Sequence, residues 1–229
     1  MWKYGQYCPF AHAMEILSER WTLLIIRDMM QGTKHFNDLE RGLPGISRGL
    51  LAKRLQLLER VGIVEKRSRQ GRQSTEYHLT EAGCALESAV DALSAWGARW
   101  AFGDPEPREL NSELLMWWVY RGVNADTLPD ERIVVQFTFF GEKRASYWLM
   151  LQPQEVNLCL TDPGFETQVL VRADLATFFK VWAGRMDYQE ALNENKLRVD
   201  GMPRLARAFP NWFRWSAAAP DVRRARANS

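Results

Sequence analysis

The sequence predicts two domains in tandem: a mostly helical first domain carrying one β-hairpin, then an α+β domain with a small sheet covered by helices. Three observations carry this. The first hundred residues space their apolar side chains by three and four, interrupted once by two short strand-like runs. Gly103-Asp104-Pro105-Glu106-Pro107 then breaks any helix and holds no apolar residue. Beyond it, a run of strands followed by helices argues α+β. The boundaries that follow are a first domain at 1–103, a linker at 104–110, a second domain at 111–215 and a basic tail at 216–229, expected to be disordered.

Pro9 can occupy the first turn of a helix, and Phe10, Ala13, Met14 and Leu17 continue it. Trp21, Leu24, Ile25 and Met29 form a second stripe, ended by Gly32. Phe36-Asn37-Asp38-Leu39 opens a short helix that Gly42-Leu43-Pro44-Gly45 breaks. Ser47 suits an N-cap, and Leu51, Leu55 and Leu58 recur on one face of the helix it starts, up to Val61-Gly62. Residues 63–67 and 75–79 read as paired strands around a polar loop, and Thr80 caps a long helix through Leu86, Val90, Leu93, Trp96 and Trp100. This order is that of a winged helix-turn-helix.

In the second half, 114–123 reads as a helix, and Ile133, Val135, Phe137 and Phe139 alternate as a strand. Further strands are expected at 147–151, 156–160, 168–172 and 197–199. Asp174 caps a helix ending at Gly184, and more helices are expected at 188–195 and 205–213.

The composition, 46% hydrophobic and 25% charged, excludes a disordered chain, and no apolar run is long enough to span a membrane. The N-terminus lacks a signal-peptide core, so a cytoplasmic location is expected. Cys8, Cys84 and Cys159 are odd in number and far apart, against a disulfide framework or a metal site. Net charge is only +2, yet residues 33–75 carry ten Lys/Arg against four Asp/Glu. Positive charge gathered in one segment of a near-neutral chain points to a polyanion partner, here double-stranded DNA.

The chemistry fits that partner. A helix enters the major groove, and the leucine stripe leaves the opposite face of 47–60 free to do so. Gly49 and Ala52 let the backbone approach closely, while Arg48, Lys53 and Gln56 reach bases or phosphates. Ser47 and the nearby amides at the helix N-terminus can hold a phosphate. Arg67, Arg69 and Arg72 suit a wing on the backbone or minor groove, and Lys34 and His35 are within reach of phosphates. For Arg54 and Arg60 the plain reading is a solvated helix surface.

Cys8-Pro9-Phe10, Arg20-Trp21-Thr22-Leu23-Leu24, Phe36-Asn37-Asp38-Leu39, Leu51-Ala52-Lys53-Arg54-Leu55, Gly62-Ile63-Val64 and Glu76-Tyr77-His78-Leu79-Thr80-Glu81-Ala82-Gly83 together resemble the HxlR-type winged-helix regulators. The resemblance covers residues 8–100. It implies a recognition helix at 47–60, a wing near 66–75, and a homodimer built from the first helix (Phe10, Met14) and the long helix (Leu93, Trp96, Trp100). Arg48-Gly49 departs from the family habit of Pro followed by a basic residue, which leaves open whether Arg48 or Lys53 makes the main base contact. Trp96 and Trp100 are in any case costly to expose. Two-fold pairing would set the recognition helices roughly 34 Å apart on a pseudo-palindromic operator. In several such regulators a cysteine near Cys8 senses oxidants or electrophiles; the alternative is an inert, packed thiol.

The second half holds no nucleophile elbow, metal cluster, phosphate loop or histidine, so neither an enzyme nor a cofactor is expected. It has a surplus of aromatic residues that serve a core or line an apolar pocket. Residues 132–201 loosely resemble the sterol-carrier-protein-like fold, through the strands at 133–139 and 147–151, Asp162-Pro163-Gly164, 178–184 and Lys196-Leu197-Arg198-Val199-Asp200-Gly201. That resemblance implies a tunnel for a small hydrophobic effector. The alternative is a lipid-like ligand carrier whose DNA binding is secondary.

Overall fold

The computed structural model describes residues 3–68, 75–141 and 144–227. They fall into two compact units, Met1–Leu93 and Ser94–Ser229, each with its own core.

The first unit opens with α1 (Pro9–Leu17), Pro9 standing in its first turn. Next comes α2 (Thr22–Met30), which starts from Trp21 in the left-handed region at φ 79°. For a side chain of this size that backbone costs roughly 1–2 kcal/mol. The Trp21 ring lies against the turn at Gly45, 3.8 Å from where a Cβ on that glycine would be. There follow α3 (Phe36–Gly42) and α4 (Arg48–Arg60), then the antiparallel hairpin of β1 (Val64–Ser68) and β2 (Thr75–Leu79), in register from Val64↔Leu79 to Ser68↔Thr75. Ile25, Ile26, Leu39, Leu43, Leu51, Leu55 and Leu58 form the core of this unit.

The single long helix expected after Thr80 is two. Thr80 caps the short α5 (Glu81–Cys84), and α6 (Glu87–Trp100) begins anew. The backbone of Gly83 presses on the hairpin: a Cβ there would lie 2.3 Å from the Ile63 carbonyl oxygen. This sets α5 against the Ile63 backbone just ahead of β1, and the helical ladder resumes only where Val90 N–H donates to the Leu86 carbonyl.

The second unit mixes helix and sheet. It contains α7 (Ser112–Arg121), β3 (Ile133–Phe140), β4 (Ala145–Gln152), β5 (Glu155–Cys159), β6 (Val169–Asp174), α8 (Leu175–Ala183), α9 (Tyr188–Asn193), β7 (Leu197–Gly201), α10 (Pro203–Ala208) and α11 (Ala219–Ala227). The sheet order is β5-β4-β3-β6-β7, with β3 and β6 parallel and the other neighbours antiparallel. Period-two alternation buries Tyr147, Leu149 and Leu151 of β4 and Val169, Val171 and Ala173 of β6, leaving the residues between them half-exposed. The aromatic surplus is largely core: the Phe137 ring lies 5.9–6.4 Å from those of Phe178, Phe209 and Phe213. Tyr188 packs among Phe209 and Trp215, and burial pushes its phenol up to about 12.

Two further sequence expectations change. The helix expected at 205–213 is α10 followed by a 3-10 turn at Phe209–Trp212. The tail expected to be disordered carries α11, whose Ala219 and Val222 are buried. Gly184, at φ 82°, ends α8 where a Cβ would meet the Ala219 carbonyl oxygen at 2.8 Å. In the stretch 104–110, Asp104 accepts from Lys180 at 2.6 Å and lies 3.4 Å from Arg185. The Lys180 ammonium, more than Arg185, holds the Asp104 carboxyl below the usual range. No helix among the described residues is long and apolar enough to cross a membrane.

Candidate nucleic-acid interface

The candidate interface is built on α4. Ser47, in extended backbone, accepts the Leu50 N–H at 3.2 Å and caps the helix. Leu51, Leu55 and Leu58 are at most 1% exposed and hold α4 in the core. Gly62, at φ 75°, follows its end. On the opposite face Gly49, Lys53, Gln56 and Arg60 are exposed, and Ala52 half-exposed. These positions recur at helical spacing, so burial of the leucine stripe fixes what α4 presents to solvent. Lys53 and Gln56 have no hydrogen-bond or ion-pair partner among the described residues.

Neighbouring basic residues are engaged. Arg48 pairs with the Glu40 carboxylate, donates to Asn37 Oδ1 at 3.2 Å and lies 5.0 Å over the Phe36 ring. Arg54 meets Glu19 at 2.6 Å and donates to the Arg20 carbonyl, tying α4 to the α1–α2 turn. Neither role is visible in the helical spacing of α4, since each partner lies on another element. Arg60, read from sequence as a plain surface charge, shares the exposed face with Lys53 and Gln56; the i, i+4 step from Gln56 is the signal that places it there.

The hairpin stands beside this helix in the chain. Arg67 pairs with Glu65 at 2.5 Å; Lys66 lies 3.3 Å from Glu59 and 5.7 Å from the Tyr77 ring centroid. Arg69 and Arg72 lie outside the described residues. Lys34 and His35 are exposed, and their backbone joins β2: Tyr77 N–H donates to the Lys34 carbonyl at 2.8 Å, and His35 bridges to Glu76. His78 hydrogen-bonds Glu76 at 2.8 Å and thereby lowers the Glu76 carboxyl below its ordinary range.

The residues expected to pair two chains are mostly open to solvent. Phe10 is 72% exposed, Leu93 53%, Trp96 61% and Trp100 65%; Met14 is half-buried against the first core. Leu93, Trp96 and Trp100 share one face of α6. Sequence reading missed Tyr7, which is fully exposed just before α1. Cys8 is the N-cap residue of α1, a half-buried free thiol with no capping bond.

Comparison with known proteins places residues 16–104 in the sequence model described as HxlR-like helix-turn-helix. YvaP of Bacillus subtilis, an uncharacterized HTH-type transcriptional regulator, is 35% identical over 98 residues, 42% of this chain and 91% of YvaP. The HTH-type transcriptional regulator YodB of the same organism is 39% identical over 94 residues, 39% of this chain and 81% of YodB. An uncharacterized HTH-type transcriptional regulator of Mycobacterium tuberculosis is 42% identical over 86 residues; the chain spans 54% of its length. Among solved structures, the reduced form of YodB is 35% identical, with a TM-score of 0.38 over 42% of this chain and 96% of that one.

Proposed function

We propose, from the premise that the chain belongs to the HxlR-like helix-turn-helix family of transcriptional regulators, that it binds a pseudo-palindromic duplex operator as a homodimer and that a small hydrophobic effector in the second unit changes that affinity. Helix-turn-helix DNA binding comes with the family. The finer reading is carried by α4: a core-anchored helix whose outer face holds an exposed glycine and two long polar side chains with no hydrogen-bond or ion-pair partner among the described residues.

The dimer is supported by the exposed apolar stripe on α6 and by Phe10 on α1. The effector is supported by the resemblance of 132–201 to sterol-carrier-like proteins, and by the alternating buried side chains of β4 and β6. Such a ligand alters operator affinity only if it binds the free and DNA-bound states unequally. A second reading makes Cys8 the sensor; the half-exposed thiol at the head of α1 favours it, since modification there would reach the same pairing element.

The test is a mobility-shift titration with DNA from just upstream of the protein's own coding region, at two salt concentrations, against unrelated DNA of equal length. We expect tight, competitor-resistant binding whose log affinity falls with log salt by about 0.9 per phosphate neutralised. The shift is then repeated with lipophilic compounds and with a thiol oxidant on wild type and Cys8→Ser. Operator binding that no lipophilic compound alters removes the effector. An oxidant response that Cys8→Ser abolishes installs the thiol reading in its place.

A further inference from the structure

Arg48 is the first residue of α4, where a cation would meet DNA early, yet its guanidinium, though 63% exposed, is engaged by the preceding helix. The Glu40 carboxylate neutralises it, Asn37 accepts a second N–H, and the Phe36 ring lies beneath the guanidinium. All three partners belong to α3, so Arg48 clasps α4 to the preceding helix. One residue on, Gly49 meets nothing: a Cβ there would have no atom within 4 Å. Glycine inside a helix weakens it, so the lack of any internal need for one is itself informative. The first turn of α4 thus offers a cation already paired to α3 and a bare backbone, and Lys53 and Gln56 stand one turn further along.

We propose that Lys53 and Gln56 are the residues that read operator sequence, as a guanine and an adenine at neighbouring steps of each half-site, while Arg48 is a positioning residue that sets α4 against α3. This rests on the reading of the chain as an operator-binding regulator. Lysine bonds to guanine O6 and N7, and glutamine pairs through two bonds with adenine N6 and N7. Three residues of helix rise about 4.5 Å, against about 3.4 Å per base-pair step, so side chains at i and i+3 meet adjacent pairs. The bare backbone at Gly49 lets α4 sink until both reach the base edges. Arg48, held at the hinge of the two helices, fixes the angle of approach and discriminates between no bases.

Selection of binding sites from randomised duplexes tests this, with wild type, Lys53→Ala, Gln56→Ala, Arg48→Ala and Glu40→Gln, all folded by circular dichroism. Wild type should enrich a two-fold motif with a guanine and an adenine together in each half. Lys53→Ala should lose preference at the guanine alone and Gln56→Ala at the adenine alone, each by roughly 5- to 150-fold. Arg48→Ala should bind every sequence more weakly and keep both preferences. Glu40→Gln should steepen the salt slope by about 0.9, because the released guanidinium gains a phosphate; a merely structural contact would not do this. If Arg48→Ala erases a base preference, or if both alanine variants at 53 and 56 keep the wild-type motif, the assignment is wrong while operator binding stands. A wild type that enriches no motif overturns both.

Discussion

At the scale of single residues, the proposed DNA-facing side of α4 sets stability against binding. Gly49 lies in an ordinary helical segment with open space where a Cβ would be. Alanine at that point restricts the unfolded chain more than glycine does and strains nothing in the folded one. Gly49→Ala should therefore raise stability by about 0.5–1 kcal/mol. It should also weaken operator binding, since a methyl group would hold the helix backbone off the groove. Urea unfolding and an operator titration on the same preparation check both signs. Higher stability with unchanged affinity would mean that DNA does not approach α4 at Gly49.

At the scale of elements, the parts legible in the sequence carried local signals. Ser47, the 51/55/58 leucines and Gly62 mark α4 without reference to anything else, and Pro9 and Asp174 mark the starts of α1 and α8. The parts that were not legible depend on contacts distant in sequence. No glycine or proline separates Cys84 from Glu87; the break between α5 and α6 comes from the close approach of Gly83 to Ile63. The Arg48 clasp depends on how α3 meets α4. The basic composition of 220–229 conceals a helix docked through Ala219 and Val222 and through Arg226, which donates to Glu190 of α9 at 3.1 Å. That bond, and next the Asp187 N–H, holds the Glu190 carboxyl below its ordinary range. A depressed carboxyl contributes stability above its unfolded value, and that stability is lost as pH falls through the folded value. The amides of α11 should thus lose hydrogen-exchange protection as pH drops below the usual carboxylate range, and Arg226→Ala should lower that protection at pH 6 and flatten its pH dependence. Equal protection in the parent chain at pH 6 and below the usual carboxylate range would show α11 docked by its apolar contacts alone.

At the scale of the whole molecule, the decisive quantity is how many copies of α4 meet the operator. One chain presents one such helix, so a two-fold operator needs a second chain, and the proposed pairing surface joins the exposed apolar face of α6 to Phe10 of α1. Trp96 and Trp100 are more than half exposed in the single chain, so their substitution removes little internal packing. Trp96→Glu places a charge in the centre of that stripe, where burial in a dimer would desolvate it against indole and aliphatic neighbours. Sedimentation should show wild type as a dimer and Trp96→Glu as a monomer of unchanged helical content. Losing the second half-site removes the effective-concentration gain of a linked pair, so operator affinity should fall at least 100-fold, while the much weaker binding to unrelated DNA changes little. A variant that remains dimeric would move the pairing surface away from α6. A variant that is monomeric yet binds the operator as tightly as wild type would show that one α4 suffices and that the operator is not two-fold.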